Sequence, residues 1–213
     1  MKITRDDAKK VLEIVDQGLC QGAGTSATPG QVCVEQAVTM ALGLPFSDDP
    51  KCVGRAVRLF KMELNDSNWS SNAARAKGMK RLAIAQLGSD QIDQDKFRNE
   101  LQRGTIARIV PIALRAAALK NVKHASELEA AAVRCEQEPT LDSVLEANIV
   151  ARTAADADAT AFYADAAAAA ATAATAAERD KILTISADIG LQALIVCGSP
   201  GCQWLDLCEE VVE

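Results

Sequence analysis

Between Ala151 and Asp180, 17 of 30 residues are alanine, and that run limits the architectures open to the chain. Alanine has the best intrinsic helix propensity, and its small side chain lets a neighbouring backbone approach closely. Within the run Asp158, Asp165, Thr172 and Arg179 recur every seven residues and form one narrow polar stripe. A helix that is small-sided nearly all round is expected at the centre of a bundle, packed on most of its circumference. Low-complexity disorder is the competing reading, and sparse charge with high helix propensity weighs against it. The uncharged part, residues 166–177, is too short and too weakly apolar to span a bilayer.

The rest of the chain reads as helices separated by capping and turn signals. Thr4 and Asp7 form a capping box ahead of Ala8, Val11, Leu12, Ile14 and Val15 at helical spacing, and Gly18 ends that helix. A second helix is expected over 31–42, stopped by Gly43-Leu44-Pro45. A third is expected over 51–64, capped by the Asp48-Asp49-Pro50 turn. Ser70 or Ser71 opens a fourth through Leu87, before Gly88. A fifth begins near Asp93, and Pro111 divides or kinks whatever continues to Lys120. Ser126 and Glu129 read as another capping box, and that helix ends before Pro139. One or two long helices follow from Leu141 to about Val196, with Gly190 as the first internal breaker and a short terminal helix after Ser199-Pro200-Gly201. No stretch alternates with period two, so the fold class is all-α: a multi-helix bundle with a long alanine-rich central helix.

Charge divides the chain more sharply than composition does. Residues 1–125 carry 19 Lys and Arg against 13 Asp and Glu, and residues 126–213 carry 4 against 16. The reading is a basic helical half with a glycine-rich loop and an acidic alanine-rich half, both expected within one compact domain. Seven cysteines stand at irregular spacing without an export signal, which points to reduced thiols in a cytoplasmic protein. Cys197, Cys202 and Cys208 are the only group close enough in sequence to suggest zinc. None of their gaps is the short CxxC type, and the one histidine, His124, is remote.

Several front-half motifs carry a likeness to a known family. They are Pro29-Gly30-Gln31 before Cys33-Val34-Glu35-Gln36-Ala37-Val38, then Ala41-Leu42-Gly43-Leu44-Pro45 and Asp48-Asp49-Pro50. Leu64-Asn65-Asp66, Asn68-Trp69-Ser70-Ser71-Asn72 and Arg81 to Gly88 follow. With the alanine-rich stretch behind them, they resemble a family of uncharacterised helical proteins found in bacteria and their phages. The resemblance implies a shared fold and no particular chemistry; a phage origin and a link to bacterial defence or counter-defence are what it suggests. The alanine-rich half alone is similar to predicted helical toxin-immunity proteins. Asp48-Asp49 with Asp156, Asp158 and Thr160 resemble the two acidic motifs of ADP-ribosylglycohydrolases, which implies a metal-dependent hydrolase as an alternative. Alanines replace the glycines that those enzymes carry around the second motif.

One candidate ligand site is legible. The loop from Gly22 through Gly24, Thr25 and Ser26 to Gly30 runs into a helix, where free amides and the helix dipole favour an anion. Lys77, Lys80 and Arg81 share one face of the fourth helix, and Arg55, Arg58 and Lys61 one broad face of the third. Trp69, with Ser70, Ser71 and Asn72, lies between them as a stacking and hydrogen-bonding platform for a nucleotide. Glu35, just inside the helix, works against an anion there. Extended nucleic acid is disfavoured by the net charge of −6.

No catalytic constellation is complete, no cofactor is implied, and His124 lacks a nearby nucleophile. The reading is a non-enzymatic interaction protein that binds either a protein partner or an anionic, nucleotide-like small molecule. An exposed apolar patch favours the first, and a pocket joining the glycine loop, Trp69 and the basic residues favours the second. Thiol titration in denaturant without reductant is expected to count seven groups; one zinc held tightly per chain would contradict this.

Overall fold

The computed structural model describes residues 3–154 and 176–209, and these contain α-helices and short 3₁₀ segments with no strand among them. The protein is all-α. Helix α1 spans Arg5–Val15, α2 Val34–Ala41, α3 Arg55–Asp66 and α4 Asn72–Ala85. Then come α5 (Gln94–Arg108), α6 (Val110–Lys120), α7 (Ala125–Gln137), α8 (Leu141–Ala154) and α9 (Ala176–Val196). A 3₁₀ segment, Pro200–Cys208, follows. Most of the alanine-rich stretch, including Asp156, Asp158, Thr160, Asp165 and Thr172, lies outside the described residues. None of the described helices is long and apolar enough to cross a membrane.

Two compact units divide the chain, one of residues 1–100 with 186–213 and one of residues 101–185. They do not follow the charge boundary near residue 125. In the first unit α1 packs on α2, α4 and the terminal 3₁₀ segment. Its core gathers Val11, Leu19, Val34, Val38, Val57, Met79, Leu82, Ile84, Leu87, Phe97, Leu191 and Leu194. Phe60 meets Phe97 edge to face, with ring centroids 6.3 Å apart. In the second unit α6, α7 and α8 pack together around Val110, Leu114, Leu128, Ala132, Cys135, Val144 and Ala147. Arg115 on α6 is clamped to Glu136 and Glu129 on α7, and these two bonds raise its pKa further.

Helix boundaries follow where the first amides find acceptors. The Thr4–Asp7 capping box is present, as are the Ser71 cap on Ala74 N–H and the chain reversals at Gly43 and Gly88. Asp93 Oδ1 accepts from the amides of Asp95 and Lys96 and starts α5. Helix α3 begins later than expected, and Asp48 and Asp49 do not cap it. Its N-cap is Gly54, whose N–H is met by Ser89 Oγ, while Gln94 Oε1 takes Ala56 N–H. Asp48 and Asp49 instead face Arg58. Ser126 caps nothing either: α7 starts at Ala125, after a 3₁₀ turn at Val122–His124. Pro111 sits in the first turn of α6, where its missing N–H costs nothing, so the chain breaks at Ile109.

Gly190 does not interrupt α9. A Cβ there would lie 2.3 Å from Phe60 Cε1, so the glycine makes room for the ring. Gly201 permits a closer approach still, because its Cβ would stand 2.1 Å from Ile84 O and 2.9 Å from Leu87 N. Next to it Ser199 Oγ donates to Ala85 O at 2.5 Å. These contacts seat the terminal segment on the end of α4. Backbone atoms have nowhere to move, so Gly201→Ala is expected to destabilise the protein by about 3 kcal/mol. Urea unfolding would measure it, and a loss below about 0.5 kcal/mol would refute the close packing.

Candidate functional site

The glycine-rich loop is tied down by acceptors. Gly22 N–H donates to Asp66 Oδ1 at 2.9 Å. Gln36 spans the loop, its Oε1 accepting from Gly24 N–H (2.8 Å) and Cys33 N–H (3.1 Å) and its Nε2 donating to Gly24 O. Asn65 Oδ1 takes Val34 N–H at 3.3 Å. A Cβ on Gly24 would lie 1.9 Å from Gln31 O, so this glycine serves a backbone-to-backbone crossing. Thr25 is exposed, Ser26 Oγ donates to Thr28 Oγ1 at 3.1 Å, and Gly30 takes a positive φ of 81°. The amides expected to wait for an anion at the start of α2 are therefore engaged by side chains of the protein itself.

The platform residues have their own places around the start of α4. Trp69 is buried, and its Nε1 donates to Leu64 O at 2.9 Å. Ser71 is the α4 cap, and Asn72 Oδ1 accepts from Arg75 at 2.8 Å. Lys80 pairs with Asp16, the residue that caps the end of α1, at 2.7 Å, while Ser70, Lys77 and Arg81 are exposed. Arg75, which sequence reasoning passed over, is the organiser here. Its guanidinium donates to Asn65 O, Leu19 O and the Asn72 side chain, drawing the loop and the α3–α4 turn onto α4. Its place four residues ahead of Met79 on an apolar face was the available signal.

Behind the loop stands an ion pair that sequence reasoning also missed. Lys61, expected on one broad basic face with Arg55 and Arg58, is fully buried on α3, and so is Glu35 on α2. Lys61 Nζ lies 2.8 Å from Glu35 Oε1, close enough for strong attraction but not aligned as a hydrogen bond. Glu35 Oε2 has no hydrogen-bond partner among the described residues. Burial pushes the Glu35 carboxyl up and the Lys61 ammonium down, and their mutual attraction opposes both shifts. The missed clue was register, since Lys61 is four residues after Val57 and three before Leu64, on the apolar side of α3.

Beside this pair is a small cavity of about 30 Å³, lined by Gly22, Cys33, Glu35, Asp48, Asn65 and Asp66 with Ala23, Val34 and Met62. Pieces of the glycine loop and of the Cys33-Val34-Glu35, Asp48-Asp49-Pro50 and Leu64-Asn65-Asp66 motifs thus meet at one place. Burial raises the Cys33 thiol to about 11, so it is not a ready nucleophile. Among the described residues no three of Cys, His, Asp and Glu are placed to hold a metal ion. Cys197, Cys202 and Cys208 are partly buried free thiols. Of the hydrolase-like acids, Asp48 and Asp49 pair with Arg58, and Asp156, Asp158 and Thr160 fall outside the described residues.

In the second unit α8 has two apolar sides. Ser143, Val144 and Ala147 face the core with α6 and α7. On the opposite side Leu141, Leu145 and Ile149 are 55%, 52% and 66% exposed. Leu119 and Val122 are also exposed, and they flank Asn121, whose side-chain amide donates to Ala154 O at the end of α8. Between α7 and α8 runs a shallow groove of about 310 Å³, floored by Ala130, Ala131, Ala147 and Val150. Glu127 and the Arg134–Glu146 ion pair line its rim.

Comparison with protein-family models, with curated proteins and with solved structures finds no match to this chain.

Removing Lys61 leaves a buried carboxylate without its counter-ion. Lys61→Met is expected to cost about 3–5 kcal/mol near neutral pH. Glu35 then has a folded pKa above its unfolded one, so the folded state binds more protons. The variant is therefore most stable in acid and weakens as pH rises through the ordinary carboxylate range, near about 4, toward neutrality. Urea unfolding across pH would show this slope, and adding Glu35→Gln should flatten it. A loss independent of pH would contradict the burial of a charged pair.

Proposed function

We propose that the protein works without catalysis, by binding another protein along α8. The supporting observation is the ridge of Leu141, Leu145 and Ile149, spaced i, i+4, i+8 and turned away from the unit's own core. Single exposed leucines are ordinary on protein surfaces, whereas three large apolar side chains aligned on a helix of 14 residues are not. Such a row is the ridge type that interdigitates with another helix at a crossing near about −50°.

Charge along α8 describes the partner. Glu138 and Asp142 stand at its N-terminal end, and Arg152 at its C-terminal end. The fitting occupant is a helix with its own apolar ridge, basic where it passes Asp142 and acidic where it passes Arg152. Helix dipoles favour the same antiparallel sense. The anionic small-molecule reading has less support, because the loop amides are engaged and Trp69 is buried.

A photo-crosslinking residue at position 145 is expected to yield a specific protein adduct in host lysate, lost when Leu141 and Ile149 are both changed to Asp. The same changes should alter stability by no more than about 0.5 kcal/mol, since those side chains are exposed. An adduct between two copies of the chain would identify the partner as itself. Adducts no stronger than those from exposed Lys123 would overturn the proposal.

A further inference from the structure

Helix α8 answers the description of its own partner. That description is an antiparallel helix with an apolar ridge, basic beside Asp142 and acidic beside Arg152. The ridge of Leu141, Leu145 and Ile149 is symmetric about its middle residue, with one four-residue step on each side. A two-fold axis passing beside Leu145 therefore sets Leu145 against its own copy and Leu141 against Ile149 of the second copy. The two ridges then lie in each other's grooves, the arrangement that i, i+4 rows adopt.

The charges follow the same symmetry. Asp142 lies one residue after Leu141, and Arg152 three residues after Ile149. A side chain on a helix leans toward the N-terminus and covers the turn before its own Cα. The Arg152 guanidinium thus reaches back to the level of Asn148 and Ile149, which is where the two-fold axis brings Asp142 of the second copy. Two Asp142–Arg152 pairs result, one at each end of the ridge. Both side chains are exposed, and neither has an ion pair among the described residues, whereas nearby Arg134, Glu138 and Glu146 pair among themselves. A parallel seating would instead set Asp142 against Asp142 and Arg152 against Arg152, and would align the two helix dipoles.

Taking α8 as a docking surface, as proposed above, we infer that its occupant is α8 of a second copy, seated antiparallel across a two-fold axis at Leu145; the identification rests on that reading. An isologous interface needs only one self-complementary patch, which the ridge and its two charges supply. One helix pair buries less than the roughly 1,200 Å² at the lower end of stable interfaces, so the dimer is weak and reversible, with a Kd above about 1 µM.

Sedimentation equilibrium of the purified full chain, from micromolar to millimolar concentration, tests it. The expected result is a monomer–dimer equilibrium that Leu141→Asp with Ile149→Asp abolishes. Asp142→Arg and Arg152→Glu each set like charges together at both ends of the ridge, and each should weaken the dimer about tenfold. An equimolar mixture of these two variants should recover the wild-type affinity, because every charge pair between unlike copies is then opposite in sign. Both positions are exposed, so neither change threatens the fold. A chain that stays monomeric at millimolar concentration overturns the inference. So does a dimer that the ridge changes or both charge variants leave intact, or a mixture that does not recover what each variant loses. The α8 reading fails separately. It stands if the crosslinker at position 145 still captures a different protein in a ridge-dependent way, and it falls with the inference if that position captures nothing.

Discussion

The pairing of Glu35 with Lys61 is the constraint around which the first unit is arranged. Two charges taken fully out of water cost several kcal/mol each, and mutual attraction repays that only in good geometry. The pair is thus a poor source of net stability but a strong penalty on any arrangement that separates its members. Helix α2 has only eight residues, too few to hold its conformation by itself. Seven of its residues are buried, and it is fixed from outside: by Lys61 on α3, by Asn65 at its first amide, and through Gln36 by the loop that precedes it. Arg75 completes the arrangement by drawing the carbonyls of Leu19 and Asn65 to α4. A polar framework does here what large aromatic side chains do in other cores.

The second unit solves the problem of small side chains differently. Ala132 and Ala147 sit at its centre, and partly buried Ala117, Ala118, Ala131, Ala151 and Ala154 surround them. Small residues let helices come close but bury little apolar area for each residue ordered. Ion pairs at the edges, Arg115 with Glu129 and Glu136 and Arg134 with Glu146, fix the helix pairing, and each is exposed enough that its contribution is modest. Against this economy, three large apolar side chains on the outer side of α8 are a surplus that the unit's own packing does not use.

Sequence disclosed the elements better than their partners. Capping at Thr4 and Ser71, the reversals at Gly43 and Gly88, and the break before Pro111 are local events, decided within four or five residues, and each is present. The errors were long-range. The start of α3 is set by Ser89 and Gln94, more than thirty residues away, so the Asp48-Asp49 turn was a false cap. Gly190 looked like a breaker until Phe60 was seen to fill its place. Lys61 shares one broad basic face with Arg55 and Arg58, yet its register also puts it on the apolar side of α3, and that side is the one buried. The α8 ridge was equally readable in principle, since Leu141, Leu145 and Ile149 recur every four residues while Val144 and Ala147 mark another side. Which side faces the core could not be decided without α6 and α7.

The glycine loop shows why a motif gives an ambiguous sign for its ligand. Free amides before a helix attract anions only while they remain free. Here Gln36, two residues beyond the helix start, folds back over the loop and takes two of those amides, and Asn65 and Asp66 take two more from α3. Once the donors are satisfied internally, nothing in the loop's own amides is left to draw an anion. Asp66 in particular arrives as the partner of Gly22 N–H and brings a full negative charge with it. A loop that reads as an anion cradle in one dimension is thereby closed on acceptors of its own fold. The closure follows from a single substitution of roles, in which carboxylate and amide side chains of the fold take the amides that a phosphate would have taken.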